Sequence, residues 1–243
     1  MIISLVNRSA SISDEDMQRV VRAINRQITE DFTPYWSFGA TVRIEGAVGA
    51  RINKQSLPDM RGDAVMYVLD GLNKEQAEGW HEKNFRDIPC GYVYLGMCDK
   101  MNDPWTMALS HEILELIGDP MSNLWVQGPH PTSRKKVLHM FEMCDAVQCE
   151  FYEIDGIVLS NFVLPSYFSP GTQEGRRNDF LNRACKGKTL KSFGINPGGY
   201  LNVVDPKTGK WENPTRAADP LAESRLKAKA AEQIGRGFIR RHR

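Results

Sequence analysis

Apolar residues fill Ile2 to Val6 and predict a short strand. Ser13-Asp14-Glu15-Asp16 then supply a cap and an acidic first turn for an amphipathic helix running to Phe32, with Pro34 as its stop. Thr41 to Glu45 alternates like a half-buried strand, and Ala64 to Leu69 is apolar enough for a buried one. After a break at Gly71 and Asn73, Pro89 to Leu95 reads as a strand whose proline and glycine suit a sheet edge. Leu109 to Ile117 is a helix apolar around most of its circumference, which predicts burial. The order is therefore strand, helix, three strands, helix. Beyond a loop after Pro120, Val137 to Cys144 resumes an apolar pattern. Glu150–Ile154 and Ile157–Leu164 flank Asp155-Gly156, a favoured type I′ pair, and so predict a hairpin. A weaker hairpin surrounds Asp205 to Gly209, and the core-like pattern ends near Pro214. These elements predict one α+β domain over residues 1–213, with a long helix and a second, chemistry-bearing helix on a mixed sheet, then β-hairpins. Residues 214–243 are expected to form a charged helical or flexible carboxyl-terminal extension.

Composition narrows the classes. The chain has 243 residues, 41% hydrophobic and 25% charged, as in an ordinary globular protein. A formal net charge of +1 gives no global attraction to nucleic acid or anionic membrane. No apolar run is long enough to cross a bilayer, and Met1 to Asp16 lacks the basic-then-apolar pattern of a secretory signal, so a cytoplasmic protein, or one packaged from the cytosol, is expected. Cys90, Cys98, Cys144, Cys149 and Cys185 are odd in number and never spaced C-x-x-C, which argues for free thiols rather than disulfides or a thiolate zinc knuckle.

The buried helix carries the chemistry. Residues four apart on a helix differ by about 40° around the axis and about 6 Å along it, so His111 and Glu115 can grip one ion, with Glu112 beside it. In the H-E-x-x-H signature the two histidines bind zinc and the glutamate takes a proton from the attacking water. Here Glu115 stands in place of the second histidine. Carboxylate is an ordinary zinc ligand, but each added carboxylate weakens the Lewis acid. The competing reading makes His111, Glu112 and Glu115 the solvated face of an otherwise buried helix. Among the five histidines, only His111 stands in a suggestive setting.

The element order resembles the amino-terminal half of the zincin metallopeptidases. Ser110–Pro120 (SHEILELIGDP), Phe141–Gln148 (FEMCDAVQ), Asp155–Phe168 and Gly198–Leu201 are also similar to a little-characterised group of bacterial and phage zincin-like proteins. The resemblance implies a zincin-like sheet, an edge strand around Tyr92 and Tyr94 that holds extended substrate, and a downstream glutamate as third ligand. Glu142 fits that glutamate, and Asp145 follows as a partner of His111 or as the ligand itself. Asp119 is a fallback.

The expected function is that of a zinc-dependent metallohydrolase or peptidase with Glu112 as base and His111, Glu115 and Glu142 as metal ligands. Oxygen-rich ligation also suits manganese or calcium. The expected partner is a peptide or protein substrate, with no membrane involvement. The alternative is an inactive zincin-like structural or interaction protein, such as a phage virion component with a protein assembly partner. Nucleic-acid contact is confined to the basic end at Arg236, Arg240, Arg241 and Arg243, because no glycine-rich phosphate loop precedes a helix.

Overall fold

The computed structural model describes residues 1–45, 62–74, 77–133, 135–171, 176–185 and 187–217. Most of the predicted extension, 218–243, lies outside the described residues. The chain divides into two compact units: Met1–Ser122 with Phe151–Ser160, and Asn123–Glu150 with the chain from Asn161 onward.

The first unit begins with β1 (Ile2–Asn7), followed by α1 (Asp14–Arg26). Ser13 caps α1 by accepting a hydrogen bond from the Asp16 amide at 3.0 Å. Met17, Val20, Val21 and Ile24 form its buried stripe. The helix does not stop at Pro34. It widens into a π-helical stretch over Gln27–Phe32 and closes with one further turn, α2 (Thr33–Trp36). Pro34 stands at the start of that turn, where a missing N–H is tolerated, and Ser37 ends it in the left-handed region.

The strands β2 (Thr41–Ile44), β3 (Ala64–Leu69), β4 (Gly79–Lys83) and β5 (Pro89–Tyr94) join β1 in one sheet of order β2-β1-β3-β5-β4. All pairs are parallel except β4 with β5. The edge strands are thus β2 and β4, and β5 is interior, contrary to the sequence expectation. Pro89 is the first residue of β5, a position a strand tolerates. Gly91 reflects close packing, because a Cβ there would lie 2.6 Å from Met66 Cε. On one face of this sheet, Tyr67 and Tyr92 stack at 5.4 Å between centroids, and Trp80 stacks on Tyr94 at the same distance.

Two helices follow, α3 (Leu95–Met101) and α4 (Trp105–Gly118). β6 (Trp125–Pro129) and β7 (Lys136–Met140) belong to the second unit, whereas β8 (Phe151–Ile154) pairs with β9 (Ile157–Ser160) across Asp155-Gly156. Both turn residues have positive φ, 52° and 75°, as a type I′ turn requires. This hairpin laces α4 in place: Thr106 Oγ1 donates to the Val158 carbonyl at 2.7 Å, and Ser110 Oγ accepts from the Ser160 amide at 2.8 Å. Gln27 donates to the Ser160 carbonyl at 2.9 Å, so the π-helical stretch holds the same strand.

In the second unit, β10 (Val203–Val204) and β11 (Trp211–Glu212) form the weaker predicted hairpin and extend an antiparallel sheet of order β11-β10-β7-β6. No described helix is long and apolar enough to cross a membrane.

Candidate metal centre

The solvated-face reading of α4 fails, because every residue from Met107 to Gly118 is buried. Pro104 opens the helix in an extended conformation, and Ser110 ties its middle turn to its own backbone by donating to the Met107 carbonyl at 3.0 Å. His111, Glu112 and Glu115 are 9%, 8% and 4% exposed. Buried carboxylates at this depth require cations or donors nearby, since desolvation of an uncompensated charge is strongly unfavourable.

One compensating group is the predicted one. His111 Nε2 lies 3.3 Å from Glu115 Oε1, across one helical turn. Another is His81, which the sequence reading passed over. It comes from the edge strand β4 and is 3% exposed. Its Nδ1 is 3.5 Å from Glu112 Oε2 and 3.8 Å from Glu115 Oε2. Glu115 therefore presents one carboxylate oxygen to each histidine. The His81 carbonyl accepts from Ser122 Oγ at 3.1 Å, and the Ser122 amide donates to Asp119 at 2.9 Å, so the loop leaving α4 is fastened to β4 beside the cluster.

Glu112 is placed by an absence of side chain. A Cβ at Gly79 would meet Glu112 Cγ at 2.8 Å and its Oε1 at 3.1 Å. The carboxylate arm thus lies across the bare backbone of β4.

The donor set fits a divalent cation. Imidazole nitrogen and carboxylate oxygen are ordinary ligands for zinc, manganese or cobalt. With metal–ligand bonds of about 2.0–2.2 Å, neighbouring ligand atoms around one ion stand roughly 3.0–3.5 Å apart. The nitrogen–oxygen separations of 3.3 and 3.5 Å match that spacing and exceed a charge-assisted hydrogen bond of about 2.7–2.9 Å.

Glu142 and Asp145 belong to the second unit. Glu142 follows β7 and is buried, and Asp145 opens a 3-10 turn, Asp145–Val147. Asp145 Oδ2 accepts from Asn202 Nδ2 at 3.3 Å, and its carbonyl accepts from the Tyr200 amide at 3.1 Å. Both residues are buried rather than part of a solvated turn. Burial, reinforced by the Asp145 charge, pushes the Tyr167 phenol upward. In the same unit, burial and the neighbouring Asp179 charge raise the Glu150 carboxyl, against hydrogen bonds from Asn161 and Asn196. Asp119, the fallback ligand, is buried where α4 ends.

Sequence reasoning missed His81 because Gly79 to Lys83 was not read as a strand. A signal existed: Gly79-Trp80-His81-Glu82-Lys83 precedes a turn in which Asn84 Oδ1 accepts from the Arg86 and Ile88 amides, and β5 follows. The two-residue period puts His81 on the face opposite Trp80 and Glu82. No family model matches the chain, and no curated protein is a significant match.

Proposed function

We propose that the protein is a divalent-metal-dependent hydrolase of zincin type, acting on the amide or ester bonds of extended peptide substrates. The observation that carries the reading is the buried His111–Glu115 pair on α4, with Glu112 between them and the antiparallel edge strand β4 alongside. His111 and Glu115 would hold the ion, with Glu142 as third ligand on the sequence argument. When bound, the ion, zinc or another divalent metal, supplies Lewis acidity for the carbonyl and lowers the pKa of water. Glu112, its arm lying over Gly79, accepts the proton of the attacking water and returns it to the leaving group. As an edge strand β4 would offer an extended chain its outer backbone N–H and C=O groups, apart from the His81 carbonyl that Ser122 already engages. The pairing strand is thus β4 rather than the segment around Tyr92 and Tyr94.

The test is cleavage of a mixed peptide library, read by mass spectrometry, by the parent and Glu112→Gln with zinc or manganese supplied. The expected result is metal-dependent cleavage that falls about 10²–10⁴-fold in Glu112→Gln while metal content is unchanged. Full activity in Glu112→Gln, or cleavage indifferent to chelator, would sink the proposal. A second reading, an inactive zincin-like structural or assembly module, draws support from Glu115 at the usual second-histidine position, since added carboxylate weakens the Lewis acid. It predicts bound metal with no cleavage of any peptide.

A further inference from the structure

We infer that the β4 edge selects peptides carrying an aromatic side chain beside the scissile bond, and that Trp80 is the residue that reads it. The inference rests on the hydrolase reading and its pairing edge, and adds a substrate preference to them. Its basis is a row of rings that ends at a sheet edge. The register aligns Tyr67 of β3 with Tyr92 of β5, and Tyr92 with Trp80 of β4. Their centroids are 5.4 and 5.1 Å apart, close to the strand spacing of about 4.8 Å. Tyr94 stacks on Trp80 at 5.4 Å and 15°, and Trp80 Nε1 points along its strand to Glu82 Oε1, 3.4 Å away. A strand added to β4 would place its own side chain next in this row.

The two edges of the sheet differ in what they leave open. At β2, Asn25 of α1 accepts from the Val42 amide and donates to the Val42 carbonyl, both at 2.8 Å, so a side chain already takes the place of a pairing strand. At β4, the Tyr94 amide donates to the Glu78 carbonyl at 2.8 Å and the Asn84 amide to the Ile88 carbonyl at 2.9 Å. The even-numbered residues between them therefore bond β5, and the backbone groups of Gly79 and His81 point outward. The Ser122 hydroxyl meets the His81 carbonyl from that side. An antiparallel peptide bonded to Gly79 then faces Trp80 in a non-hydrogen-bonded pair, the kind in which opposing side chains come closest. Because side chains alternate, that peptide residue lies on the ring face and its neighbours lie on the Gly79 face, where Glu112 sits. The selected residue thus falls within two positions of the cut. A ring there packs on the outer side of Trp80, which a small side chain does not reach.

The experiment uses the full chain with zinc or manganese supplied. Dye-labelled ten-residue peptides, with one Phe or Tyr scanned along an alanine-rich sequence, are bound to Glu112→Gln and read by fluorescence anisotropy. Cleavage of the same peptides by the parent locates the cut. At one position, within two residues of the cut, the aromatic peptide should bind about 2–10-fold tighter than its alanine counterpart. Adding Trp80→Ala should bring that ratio close to one, and adding Trp80→Phe should preserve it. The parent's relative cleavage rates should follow the same order. Equal binding at every scanned position, or a preference that survives Trp80→Ala, would overturn the inference, and metal-dependent cleavage by the parent would then leave the proposed function standing. A Trp80-dependent preference without cleavage would overturn the proposed function and keep Trp80 as the residue that reads the peptide. The scan on Glu112→Gln decides the matter even if Trp80→Ala fails to fold.

Discussion

Replacing Gly79 by alanine should displace Glu112 and destabilise the first unit together. The added Cβ would lie 2.8 Å from Glu112 Cγ and 2.8 Å from the Tyr92 carbonyl oxygen. Glu112 can swing away, but the carbonyl belongs to β5, where Gly79 is registered against Val93 and β4 and β5 are joined by their ladder. Overpacking of this kind costs about 1–3 kcal/mol. For a domain of 150–250 residues, each kcal/mol lowers Tm by about 2–4 °C, so a fall of several degrees is expected. A double-mutant cycle with Glu112→Ala separates the two contacts. Removing Glu112 relieves one collision and leaves the other, so the cost of Gly79→Ala should shrink by about 0.5 kcal/mol or more in the Glu112→Ala background. Gly71→Ala is the control: its φ of 84° makes alanine strained, but a Cβ there meets nothing within 4 Å, and no coupling to Glu112 is expected. A Gly79→Ala protein with parental Tm and zero coupling would refute the account of how Glu112 is positioned.

Other consequences are equally direct. Ser110→Ala removes the acceptor of the Ser160 amide and the donor to the Met107 carbonyl, so it should cost about 1–3 kcal/mol in denaturant unfolding and speed exchange of the Ser160 amide. Burial pushes the His139 imidazole down to about 4, opposed by its bond to the Pro129 carbonyl. Because the folded pKa lies below the unfolded value of about 6.5, the unfolded chain takes the proton first. Stability contributed by neutral His139 is full above about pH 6.5 and declines towards pH 4, with a limiting slope of about 1.4 kcal/mol per pH unit. His139→Gln, compared with the parent in melts from pH 7 to 4.5, should flatten that decline; parallel curves would contradict it. Tyr152→Phe removes a 2.6 Å hydrogen bond to Asp31, and the Asp31 carboxyl, raised by partial burial and held back by that phenol, should move further up when titrated by nuclear magnetic resonance.

Most sheet strands and α4 were legible because their patterns are strong: Ala64–Leu69 is largely buried, and Leu109–Ile117 is apolar around most of its circumference. The Asp155-Gly156 turn was equally plain, since the backbone demands positive φ at both positions. Three things were obscured. β4 mixes glycine, tryptophan and charge within five residues, so its period-2 pattern is weak, and with it went His81. The proline and glycine of β5 resembled edge signals, but one begins the strand and the other makes room for Met66. Pro34 resembled a stop signal, but the π-helical stretch before it shifts the hydrogen-bond ladder and lets one more turn form. The spacing of His111, Glu112 and Glu115 could be read from helical geometry alone; their pairing with a strand histidine is a tertiary fact that no local pattern encodes.

The most direct measurement of the central claim is metal content by mass spectrometry on protein purified without chelators, with Glu115→Ala, His111→Ala and Glu142→Ala prepared in parallel. A metal centre built on α4 predicts at least one equivalent of zinc or manganese in the parent. It also predicts near-complete loss in Glu115→Ala, whose carboxylate faces both histidines, and reduced content in the other two. A folded parent without metal, or full metal content in Glu115→Ala, would contradict it.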